Sequence, residues 1–239
     1  MKRIIFASLL GIAVLSLTAC DDGLIYKEVS YDTVGRSAKL EGKITGIGNW
    51  AEGYTIAIAG FTDGDDYASI SKAVQTDSEG NASVTMTNIP DEVTSVQLCV
   101  LDRLRRHVMT LYEADIEGIR DTIRMEIGTV NASMFNAIQL GYLSTTCANC
   151  HGASNRIAAG LNLTEGKAYA ALVGVDSKKV DGKKIVEPND AENSVLHMVL
   201  HQESVEGISM NHFDLVSEKQ AASILPLIDS WINNGANEE

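Results

Sequence analysis

Residues 144–154 read STTCANCHGAS, with two residues between Cys147 and Cys150 and His151 directly after the second thiol. In a chain holding four cysteines and five histidines, that order arises by chance roughly once in a thousand chains of the same composition. A redox dithiol, a disulfide, a zinc site and a covalently held haem each demand different surroundings. The reading of these residues therefore decides what the C-terminal half of the chain should look like.

A redox-active C-x-x-C of the thioredoxin kind follows a strand and opens a helix inside a βαβ unit. Here the preceding MFNAIQLGYL places Met134, Ile138 and Tyr142 at helical spacing instead. A plain disulfide leaves His151 without a role. Zinc takes four ligands, or three and an open position, and Cys147, Cys150 and two of His151, His197, His201 and His212 meet that count. His197 and His201 are i, i+4 on a helical pattern, but adjacent residues such as Cys150 and His151 diverge and do not readily share one tetrahedral ion. Haem c uses all three residues of the motif. Two sulfurs one helical turn apart reach the two vinyl groups on one porphyrin edge, and the following imidazole reaches the iron. The spacing predicts one covalent haem c on Cys147, Cys150 and His151.

The compartment agrees with that expectation. MKRIIFASLLGIAVLSLTAC opens with Lys2 and Arg3, continues with a short apolar run and closes on Thr18, Ala19 and Cys20, the layout of a secretory signal rather than a membrane span. Its LTAC ending resembles the lipobox of bacterial lipoproteins, which implies cleavage after residue 19 and acylation of Cys20. The reading places a signal peptide at 1–19 and a lipidated Cys20 with a polar tether at 20–36, and it puts the protein in the bacterial cell envelope, where thiols oxidise. A net charge of −13 argues against nucleic acid, because phosphate binding needs clustered Lys and Arg.

From 37 to 130 the apolar period is two. Ala38, Leu40 and Ile44 alternate with polar neighbours, as do Tyr54, Ile56 and Ile58; Ala82, Val84 and Met86; Val96, Leu98 and Val100; and Ile123, Met125 and Ile127. Turn residues such as DGDD and DSEGN separate these runs. About seven short strands predict an antiparallel β-sandwich over 37–130. Cys99 is out of phase with Leu98 and Val100 and is expected to be a buried, inert thiol facing the other layer. The basic run Arg103–His107 is expected to be a solvated strand end. After Asn131 the spacing turns helical. Asp190 is the expected cap of the helix carrying His197 and His201, Ser217 that of the last helix, and Pro226 predicts a kink or break within it.

Two family resemblances rest on these residues. TDSEGNASVTMTNIPDEVTSVQLCVLD resembles the transthyretin-like or carboxypeptidase-regulatory-like sandwiches of envelope proteins, which act as spacers. FNAIQLGYLSTTCANCHG, GLNLTEGKAYAALVGV, VEPNDAENSVLHMVLH, ISMNHF, VSEKQ and WINNGA, in that order, resemble a bacterial c-type cytochrome domain of the envelope and planctomycete type. The resemblances imply two domains, an N-terminal all-β immunoglobulin- or transthyretin-like sandwich and a C-terminal all-α cytochrome c fold over 131–239. The second also implies Met210 as the distal iron ligand, with His212, Met198, His201 or an open site as alternatives. In this chain Asn211 replaces the Pro that usually follows that Met, and Asn189 stands where the family usually has Gly. The function expected is a lipid-anchored monohaem cytochrome that is not an enzyme and passes single electrons between redox partner proteins. The alternatives are a haem-based enzyme or gas or peroxide sensor with a labile sixth ligand, and an envelope binding module with an accessory haem.

Overall fold

In the computed structural model, which describes residues 35–152 and 157–239, the alternating stretches become β1 (Arg36–Thr45), β2 (Tyr54–Phe61), β3 (Ile70–Ala73), β4 (Asn81–Ile89), β5 (Ser95–Asp102), β6 (His107–Glu113) and β7 (Thr122–Asn131). Period-two spacing puts Ala38, Leu40 and Ile44 of β1, Ile56 and Ile58 of β2, Val96, Leu98 and Val100 of β5, and Ile123, Met125 and Ile127 of β7 on one side. All of these are buried in one apolar cluster. The strands form two sheets, ordered β4-β1-β7 and β3-β2-β5-β6. Cys99 lies on the opposite face of the second sheet, buried with Ala57, Ala59, Phe61, Ala68 and Leu101, and burial pushes its thiol pKa up to about 12.

The first sheet is mixed, which corrects the purely antiparallel expectation. β1 is antiparallel to β4 but parallel to β7, with Ser37 opposite Thr122 and Thr45 opposite Asn131. Everything between β1 and β7 serves as the long crossover that a parallel pair requires. Gly42, at φ +154, sits at an irregularity in that ladder, where an added Cβ would lie 2.5 Å from the Ile127 side chain.

The all-α cytochrome c fold expected for 131–239 is also overturned. β7 runs through Asn131, and the rest of the chain is mostly short helices joined by irregular segments. These helices are α1 (Met134–Ile138), a π-helical segment (Gln139–Cys147), α2 (Ala148–His151), α3 (Ala168–Leu172), α4 (Val195–His201) and α5 (Glu218–Asn233). Isolated bridges join Val173 to Val186, Asp176 to Lys184 and Val205 to Ile208. The physical reason is length: helices under about a dozen residues are not stable alone, and the stretch from 174 to 189 carries several lysines, two glycines and no helical period. These segments hold their shape by packing. Phe135 contacts both Tyr169 and Trp231 ring to ring, and the buried side chains of this half join the same cluster as those of the sheets. The described residues belong to one compact unit, Val34–Glu239. Cys20 and the expected signal and tether lie outside the described residues, apart from Gly35 and Arg36. Among the described residues no helix is long and apolar enough to cross a membrane.

Two capping expectations divide. Ser217 caps α5 in a reciprocal capping box with Gln220, whereas the cap position of α4 is Ser194. Asp190 instead accepts from the Asn193 backbone and side chain, closing the turn before the helix. Asn189 takes φ +68, a left-handed conformation that Asn tolerates better than most residues. Its N–H donates to the Ile232 carbonyl at 2.8 Å, docking that turn on the end of α5.

Candidate functional site

The π-helical segment ends at Cys147, and α2 carries Cys150 and His151 one turn further on. All three described cysteines, Cys99, Cys147 and Cys150, are free thiols. Cys147 is largely withdrawn from solvent and burial pushes its pKa up to about 12, so the sulfur is a neutral thiol. Cys150 is exposed.

His151 is oriented by its own loop. Its Nδ1 donates to the Ala158 carbonyl at 3.0 Å, and its carbonyl accepts from Leu163 N–H at 2.6 Å. Buried Gln139 fastens the same loop from the π-helical segment, its amide nitrogen donating to Ser144 Oγ and the Leu163 carbonyl. With Nδ1 engaged, Nε2 is the nitrogen left to bind a metal, the arrangement by which an outer carbonyl fixes a ligating imidazole.

Opposite His151 stands His212. The two ring centroids are 6.2 Å apart and their planes differ by 22°. His212 Nδ1 donates to the Met210 carbonyl at 3.0 Å, so this ring too keeps Nε2 free. Burial, and less strongly the neighbouring His151, lower its pKa, favouring the neutral, ligating form. Met210, the expected distal ligand, has a half-exposed side chain at 53%. Ile157, Phe213 and Leu215, close in sequence to the groups around the two imidazoles, are exposed as well. Free thiols one turn apart and an anchored imidazole are the donor set that a covalently held porphyrin would use. Haem would be held by thioethers to Cys147 and Cys150 and by the His151 imidazole.

A second group of side chains joins α4 to α5. His197 Nδ1 donates to Asp229 Oδ1 at 2.8 Å, and His201 Nε2 lies 3.0 Å from Asp229 Oδ2. The i, i+4 spacing made the histidines visible as a pair; nothing in the sequence pointed to Asp229, which lies on another helix.

Comparison with protein-family models, curated proteins and solved structures finds no match to this chain.

Proposed function

We propose that the chain is a lipid-anchored one-electron carrier of the bacterial cell envelope, holding a single haem c through Cys147, Cys150 and His151 and exchanging electrons with redox partner proteins. The supporting observation is the orientation of His151 by the Ala158 carbonyl directly after two free thiols. When bound, haem supplies a one-electron iron couple. The chain's own residues do the rest. Cys147 and Cys150 fix the group permanently, Ala158 and Leu163 hold the His151 ring in place, and Cys20, through its acyl chains, keeps the molecule at a membrane.

If haem is held by His151, the residue that would supply its second nitrogen donor is His212, whose ring centroid lies 6.2 Å from that of His151, in preference to the half-exposed Met210. A second imidazole donor there would favour a carrier over a sensor, which needs a vacant or labile position.

The test is the mass and spectrum of protein made with the haem-attachment machinery. One haem should remain bound after denaturation in the native chain and be lost from Cys147→Ser/Cys150→Ser. In the loaded protein, Met210→Leu should leave the low-spin spectrum unchanged, while His212→Ala should convert it to one that binds CO readily on reduction. Protein that carries no covalent haem under those conditions would refute the reading.

A further inference from the structure

We propose that His197, His201 and Asp229 form a binding site for a borderline divalent transition-metal ion, of the Zn2+ class, built from residues outside the Cys147–His151 motif. His197 and His201 are one turn apart on α4, so both rings emerge from the same face; their centroids are 4.1 Å apart and the planes nearly parallel. Asp229 reaches them from α5. One ligand atom from each residue can be chosen so that all lie within 4.8 Å of one another, and the carboxylate is 2.8 and 3.0 Å from the two imidazole nitrogens. His197 and Asp229 are partly buried and His201 is exposed, so the group is reachable from solvent.

The donor set selects the ion. Two imidazoles and one carboxylate suit Zn2+ and its neighbours among the first-row divalent ions, whereas Mg2+ and Ca2+ prefer all-oxygen surroundings and Cu(I) prefers sulfur. Three protein ligands leave at least one coordination position to water. Without an ion, Asp229 Oδ1 accepts from His197 Nδ1 and Oδ2 lies 3.0 Å from His201 Nε2. To bind the ion, each ring turns the same nitrogen's lone pair inward, as the neutral imidazole can by carrying its proton on the other nitrogen. A divalent charge is also favoured on a chain whose formal charge is −13. Bound there, the ion ties α4, only seven residues long, to α5, which is sixteen residues long.

The test is calorimetric titration of the full chain, freed of adventitious metal, with Zn2+. One equivalent should bind. His201→Ala and Asp229→Asn should each weaken that binding on the order of tenfold or more, and Glu206→Gln, at an exposed position, should leave it unchanged. Because Asp229→Asn keeps the size of the side chain, unchanged circular dichroism in that variant separates loss of a ligand from loss of the fold. Saturating Zn2+ should also raise the thermal midpoint of the native chain but not of Asp229→Asn. Absence of stoichiometric binding would leave the three residues as a polar cluster only and overturn the proposal, as would binding that survives both His201→Ala and Asp229→Asn.

Discussion

His107 shows how one side chain couples the fold to pH. Its ring packs edge-on against Phe61 at 5.4 Å, and its Nε2 donates to Thr110 Oγ1, which in turn donates to Gln97. Burial lowers its pKa, Lys219 lowers it further, and Asp66 and Glu113 oppose them. The unfolded chain therefore takes up a proton near pH 6.5 that the folded chain refuses until lower pH, so this contribution is complete above that value and is lost as pH falls through it toward the folded pKa. The denaturation midpoint should be lower at about pH 5.5 than at about pH 7.5, and His107→Gln should shrink that difference. An unchanged difference in the variant would assign the effect to other groups. The same side chain marks a limit of sequence reading: as the end of a basic run, its neighbourhood looked solvated, and nothing local announced Phe61 from β2.

Among the elements, α5 is instructive because it runs through Pro226 without a break. Proline has no N–H and so leaves the carbonyl four residues earlier unpaired. That carbonyl belongs to Ala222, and Arg106, from the turn between β5 and β6, donates to it at 2.7 Å while its Nε donates to Asp102. A guanidinium from the sheet thus replaces the hydrogen bond that proline removed. Arg106→Ala should cost about 1 kcal/mol in chemical denaturation, and distinctly less in a Pro226→Ala background, where the helix can make its own bond. Equal costs in the two backgrounds would show that the contacts are independent. Proline spacing alone predicts a kink; the rescuing donor is 116 residues away and leaves no local signal. Helix lengths were illegible for a similar reason, since α1, α3 and α4 are held by tertiary packing rather than by their own propensity. Strands were legible because their alternation records which face is buried. Partnership is not written in alternation, so the parallel β1–β7 pairing was missed. The motif residues Cys147, Cys150 and His151 could be read from local order, whereas the placement of His212 across from His151 depends on the path of the whole intervening chain.

For the whole molecule, the continuous apolar cluster bears directly on how the protein unfolds. The sequence divides at about residue 130, yet Gly141 of the π-helical segment comes so close to β6 that an added Cβ would lie 2.9 Å from Met109 Sδ. Lys219 of α5 pairs with Asp66, ahead of β3, at 2.6 Å, and Trp50 donates to the Ala132 carbonyl at 2.7 Å. Sheets and helices should therefore unfold together. In Trp50→Phe protein the remaining fluorescence comes from Trp231, and its denaturant midpoint should coincide with that of the far-ultraviolet circular dichroism. Two separated midpoints would show that the halves fold independently. The parallel pairing of β1 and β7 also has a mechanical side. Arg36 begins one strand at the end where the other starts, and Asn131 leaves for the helices from the opposite end. A pull between those two points loads the ladder in shear, so that its hydrogen bonds must give way together rather than unzip one by one.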